Sequence, residues 1–343
     1  MPNPNHKFLL SYAPCTSYDT FIVITTSLLL AVSSSLPPIL TIRYLIKLVK
    51  ERKRIEEEEG EEKEGRLKEW RIKCAKFGGA LLAYTLFIRS RASSRYRSFF
   101  RSLPLWQSYY RYLSLSVVQL GPSLPSPSEQ KILTIIPHGL MPYSLALSAL
   151  NSDMERIWGK MRVVAAGATR ILPGLAQFIR GIDGVNADRV CVDKALTQGN
   201  SIAVSPGGIS EMFLSYPKPG ISVNQEIAQL SNRKGFIRLS HKYGIPVIPC
   251  YVFGSSKLMK RMDFYGAEWL SRIFRASLTV IWGRWGLPVP FRVVGGLVYV
   301  VGRVIYPGRN VEETHAEFCE ELKRIFEEYK GEYGWERKEL VIV

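Results

Sequence analysis

Hydrophobic and polar positions divide the chain into two kinds of sequence. In the second, longer part, short apolar runs alternate with helical stretches. Ile132–Ile136, Val163–Ala166, Ser201–Ser205, Pro246–Phe253 and Leu297–Ile305 read as strands. That alternation predicts an α/β domain with a central, mostly parallel sheet flanked by helices. A closing helix follows Asn310, which with Glu313 forms an Asn-x-x-Glu capping pattern. Its Phe318, Leu322, Ile325 and Tyr329 share one face and belong to the core.

The first part has long uncharged runs instead. Thr20 to Ile42 is 23 residues without a charge. As a helix it spans roughly 34 Å, enough to cross a hydrocarbon core of about 30 Å. Ser33-Ser34-Ser35 and Pro37-Pro38 predict a kink within it. Phe77 to Ile88 is a second run, roughly 18 Å long as a helix and too short to cross alone. Between them lies a charged insert over 51–69, with seven Glu from Ile55 to Glu64, read as helical or disordered. The organisation that follows is a polar, irregular tail over 1–19, membrane-anchoring helical segments over 20–103, and the α/β domain over 104–343.

The net charge of +16 points to an anionic partner. Arg89, Arg91, Arg95, Arg97, Arg101 and Arg111 interleave with Tyr96, Phe99, Phe100, Trp106, Tyr109, Tyr110 and Tyr112. Beside apolar runs, this pattern fits a headgroup-level belt on acidic lipid better than a nucleic-acid surface. The five cysteines are scattered, which argues against a zinc site or a disulfide framework.

Three turns carry the candidate chemistry. The first is Pro137-His138-Gly139, at the end of an apolar strand and ahead of a helical segment from Pro142 to Leu150. In open α/β sheets, ligands bind beyond that edge. A histidine there suits a general base, and equally a hydrogen-bonded turn residue. The second is Pro206-Gly207-Gly208-Ile209-Ser210-Glu211, where glycines let backbone approach a ligand and Glu211 adds a carboxylate. The third is Asn232-Arg233-Lys234-Gly235-Phe236, whose basic pair near a helix start suits phosphate or a solvated surface.

The order of these turns, followed by Val247-Ile248-Pro249, Phe253-Gly254, Trp282-Gly283-Arg284 and Leu287-Pro288-Val289-Pro290, resembles the type-2 diacylglycerol acyltransferase family. That family also includes monoacylglycerol and wax-alcohol acyltransferases. The resemblance runs from about Pro104 to the end and implies a glycerolipid-acyltransferase-like fold. It implies acyl transfer from acyl-CoA to a hydroxyl, with His138 as base and Glu211 orienting the imidazole or offsetting its charge. Backbone N–H groups near Gly139 or Gly207-Gly208 then hold the oxyanion, and Asn232, Arg233 and Lys234 hold the CoA phosphates. A helix N-terminus after Gly139 is expected to keep the base neutral.

Acyl-CoA enters as a substrate, and no metal or cofactor is implied. The implied partners are acyl-CoA, diacylglycerol and membrane lipid, without nucleic acid; self-association stays open. The implied location is the endoplasmic reticulum membrane, extending to the lipid-droplet surface, with the catalytic domain facing the cytosol. Three departures stand out. Ile136 replaces a second histidine, and Tyr112-Leu113-Ser114 replaces a Tyr-Phe-Pro pattern. Tyr143 stands where related glycerol-phosphate acyltransferases carry Asp, which disfavours that branch.

Overall fold

A computed structural model of the chain describes residues 6–89, 93–170, 172–214, 220–262, 269 and 279–343. It opens with β1 (Lys7–Ser11), two long helices, α1 (Ser17–Glu56) and α2 (Glu61–Arg89), and two short ones, α3 (Ser94–Arg101) and α4 (Leu105–Tyr112). β2 (Ser116–Gln119) and β3 (Ile132–Ile136) precede α5 (Tyr143–Leu147) and α6 (Ser152–Trp158). Next come β4 (Met161–Ala165), α7 (Pro173–Gly181), β5 (Val185–Asn186), α8 (Arg189–Thr197) and β6 (Ser201–Val204). α9 (Gly208–Leu214), β7 (Gln225–Ala228), α10 (Gly235–Tyr243) and β8 (Val247–Phe253) follow. β9 (Lys260–Met262), β10 (Val280–Trp282), β11 (Val298–Val301), α11 (Val311–Lys330) and β12 (Glu339–Ile342) complete the chain.

Eight strands form one sheet in the order β1-β2-β11-β8-β3-β6-β4-β5. The block from β8 to β5 is parallel throughout, and only the β1/β2 and β11/β8 pairings are antiparallel. The expected mostly parallel sheet is therefore present. β3 lies inside it and is buried on both faces, which is why Ile132–Ile136 reads as a continuous apolar run. Leu133 and Ile135 face one core with Tyr110, Trp158 and Ile179 from the surrounding helices. Ile132 and Ile136 face the other, with Phe236, Phe318 and Phe326. The period-two alternation of a strand thus joins two helical layers through a single sheet.

The N-terminal part differs from its expected organisation. Residues 7–11 are an edge strand paired antiparallel with β2, not part of an irregular tail. Their partner lies about a hundred residues away in sequence, so no local pattern reveals the pairing. α1 starts at a Thr16/Asp19 capping box and runs unbroken through Pro37 and Pro38. The charged insert is helical except around residues 57–60, where α1 gives way to α2. The two helices pack together through Tyr44 against Phe77, Trp70 Nε1–H donating to the Leu48 carbonyl, and Lys73 with Glu51. Arg91 lies outside the described residues.

The first half of α1 packs on the α/β domain rather than standing apart from it. Asp19, fully buried, takes a forked pair of bonds from Arg111 on α4, the shortest 2.6 Å. Tyr109 Oη bonds the hydroxyls of Thr26 and Ser27 at 2.9 and 3.0 Å. Ser34 Oγ accepts the backbone N–H of Leu175 on α7. On its other side, α1 leaves Phe21 and Val32 more than half exposed. Tyr112 and Leu113 are buried at the exit from α4 and Ser114 is exposed, with Tyr112 Oη donating to the Pro290 carbonyl.

Candidate active site

β3, β6 and β8 are neighbours and run in the same direction, so the turns leaving them meet at one edge of the sheet. His138 leaves β3, the Pro206-Gly207-Gly208 turn leaves β6, and Gly254-Ser255 leaves β8. His138 is half-buried, and its Nδ1 lies 2.8 Å from the Gly139 carbonyl oxygen. A carbonyl only accepts, so Nδ1 carries the hydrogen and Nε2 keeps the free lone pair. Gly139 has a φ of +69°, and a Cβ there would stand 3.0 Å from the Ser255 carbonyl oxygen. Only glycine fits this turn without strain.

Glu211 sits behind the turn, 1% exposed. Its Oε2 accepts the backbone N–H of His138 at 2.6 Å, and its Oε1 accepts that of Gln229 at 3.1 Å. These bonds run to the backbone of His138, while the ring's Nδ1 partner is the Gly139 carbonyl. Glu211 therefore positions the residue that carries the imidazole. A Cβ on Gly207 would stand 2.6 Å from the Glu211 carboxyl carbon, so Gly207 makes the room this carboxylate occupies.

Burial lowers the His138 pKa below its ordinary value, and the bond to the Gly139 carbonyl works against that shift. Burial is thus the cause that keeps the base neutral; α5, at five residues, is too short to contribute as a helix N-terminus. Burial also pushes Glu211 up to about 7, opposed by its two backbone N–H bonds and by the charge of Arg233.

His138 lines a cavity of ≈ 2160 Å³. Ordinary small-molecule pockets are about 300–1,000 Å³. Its walls are mostly apolar and come from α1, α4, α5 and α7 as well as from the sheet edge. Gly207, Gly208, Asn232 and Arg233 line it too. The exposed Arg189, Arg233 and Arg238 give it a basic mouth, and Lys242 stands there with its ammonium paired to Asp193 of the same wall at 2.6 Å. Arg233 donates to Ser210 Oγ at 2.9 Å.

Lys234 is not in the cavity wall, and its ammonium pairs with Glu312 at 3.3 Å. The Gly208 N–H is already given to the Ser205 carbonyl at 3.2 Å, which leaves Gly139 and Gly207 as the expected backbone donors for an oxyanion. Sequence reasoning missed Arg238 and Lys242, whose four-residue spacing on α10 was the available signal. It also missed the contribution of α1 to the wall, because an uncharged run hides which face meets protein. Among the described residues, no group of three His, Cys, Asp or Glu side chains could hold a metal ion.

Fold and site together define an α/β enzyme that offers a neutral histidine to a lipid-sized cavity with a basic mouth. A family model described as diacylglycerol acyltransferase matches residues 71–343, and the chain belongs to that family. Diacylglycerol O-acyltransferase 2-like protein 6 of Mus musculus is 26% identical over 274 residues, covering 68% of this chain and 75% of that protein. Acyl-CoA wax alcohol acyltransferase 2 of Mus musculus is 27% identical, covering 71% of this chain and 78% of that protein. Diacylglycerol O-acyltransferase 2 of Mus musculus is 25% identical, covering 71% and 67%. The chain is an acyltransferase with relatives that differ in acceptor.

Proposed function

We propose that this chain is an acyl-CoA:diacylglycerol O-acyltransferase that makes triacylglycerol, with His138 as general base. The observation that supports this reading is the place of His138, in the wall of an apolar cavity whose mouth is basic. The acyl chains lie along the apolar walls, and the anionic CoA moiety meets Asn232, Arg233, Arg238 and Lys242. The acceptor O–H gives its proton to His138 Nε2 as its oxygen attacks the thioester carbon. The C–S bond then breaks, and the departing sulfur takes the proton back from the imidazolium. The products are an ester and CoA thiol, and His138 returns to its neutral form. A positioned base typically contributes about 10²–10⁴-fold. No cofactor takes part.

α1 holds an apolar segment long enough to cross a membrane. The exposed apolar side chains of α1 and α2, among them Leu36, Ile39, Leu40, Leu81, Leu82 and Leu86, then face lipid. The endoplasmic reticulum membrane, with the catalytic domain towards the cytosol, is the location this reading requires.

Labelled acyl-CoA offered with diacylglycerol, monoacylglycerol and a long-chain alcohol tests the acceptor. Thin-layer separation is expected to show triacylglycerol as the main product. Transfer chiefly to the alcohol or to monoacylglycerol would replace the acceptor, and no transfer to any of them would refute the activity.

A further inference from the structure

The sheet edge holds one polar group that the reaction above leaves unused. Ser205 follows β6, the strand beside β3, and lines the same cavity as His138. It is 8% exposed, and its Oγ is buried without a hydrogen-bond partner. The nearby hydroxyls differ. Ser144 and Ser255 pair with each other at 2.9 Å, Thr134 bonds the Ile248 carbonyl, and Ser210 accepts from Arg233. A buried hydroxyl without a partner is destabilising unless something that enters the site supplies one. The Gly208 N–H turns inward to the Ser205 carbonyl, so the Ser205 hydroxyl stands with the Gly207 N–H as a donor that this turn can offer to a ligand.

We propose that the Ser205 hydroxyl donates a hydrogen bond to a carbonyl oxygen of the bound substrates. This rests on the acyl-transfer reading. Two substrate groups share the required chemistry: the thioester carbonyl of the acyl donor and the ester carbonyls of a glyceride acceptor. Both only accept. At the thioester, the oxygen gains charge as the acceptor attacks, and the bond strengthens in the transition state. At a glyceride ester, the bond holds the acceptor in register and has no counterpart in a simple alcohol.

The test compares the full-length wild type and Ser205→Ala in lipid bilayers, with kcat and KM measured for diacylglycerol, monoacylglycerol and a long-chain alcohol. Thermal unfolding without substrate is measured beside it. Because Ser205 Oγ makes no internal bond, Ser205→Ala is expected to unfold at the wild-type temperature or above it. Its kcat/KM is expected to fall about tenfold or more. A fall in kcat shared by all three acceptors assigns the hydroxyl to the thioester carbonyl. A fall confined to the two glycerides assigns it to their ester groups. Wild-type kinetics with every acceptor overturns the proposal, as does an unfolding temperature that drops along with activity. His138→Ala separates this from the base assignment: if that variant stays active the base is wrong, while the Ser205 result is read from its own comparison.

Discussion

The cavity has two walls built on opposite terms. The sheet-edge wall hangs from buried strands, and backbone bonds fix its groups: Glu211 holds the His138 N–H, and Gly139 accepts from the ring. The α1 wall is held by side chains instead: Val23 is fully buried in the core, and Asp19 bonds Arg111, Tyr109 bonds Thr26 and Ser27, and Ser34 bonds Leu175. Ile202 in the first wall is 1% exposed, whereas Leu29 on α1 is 65% exposed. Rigid backbone places the reacting group, and a helix that keeps one side free for lipid closes the space around it.

The comparison breaks most sharply at His138. His138→Ala is expected to lower kcat by about 10²–10⁴-fold while the protein stays folded and membrane-bound. Near-normal turnover in a labelled-acyl assay would mean that the sheet-edge wall does not carry the chemistry. Arg111→Ala probes the other wall. It leaves the Asp19 carboxylate buried without its forked partner, at a cost of about 3 kcal/mol. The outcome is a lower thermal midpoint and a higher KM for lipid acceptors; an unchanged midpoint would show that α1 is held by other means.

Glu211→Gln has a smaller effect with a pH signature. The amide NH₂ replaces one acceptor that faces a backbone N–H, costing roughly 1–3 kcal/mol. The folded pKa of Glu211, about 7, lies above its ordinary 4.5. The folded state therefore binds the proton more tightly. Its stabilising contribution is complete below pH 4.5 and is lost as the pH rises through about 7. Glu211→Gln has no proton to lose, so the difference in denaturation midpoint between pH 5 and pH 8 should shrink relative to the wild type. An unchanged difference would assign the pH dependence elsewhere.

What was legible follows the same division. β3, β4, β6, β8 and α11 were readable because buried strands are continuous apolar runs and the helix has a polar face. His138 was readable because a Pro-His-Gly stop after such a run marks a strand end. The work of Glu211 was not, since its partners are backbone N–H groups that side-chain patterns never display. Lys234 looked equivalent to Arg233 as its neighbour, yet adjacent residues at a helix start diverge, and its ammonium goes to Glu312. β1 and the inner face of α1 depend on contacts with residues roughly a hundred positions away, which no local window contains.

The central claim is that a neutral, half-buried His138 is the proton acceptor, and the pH dependence of kcat/KM tests it most directly. Burial lowers the pKa of His138 from its ordinary 6.5, so the free base persists to more acidic pH. The account predicts an acidic limb with its midpoint below 6.5, and residual activity in His138→Ala that lacks this limb. The same limb in His138→Ala, or a midpoint well above 6.5 in the wild type, would contradict it.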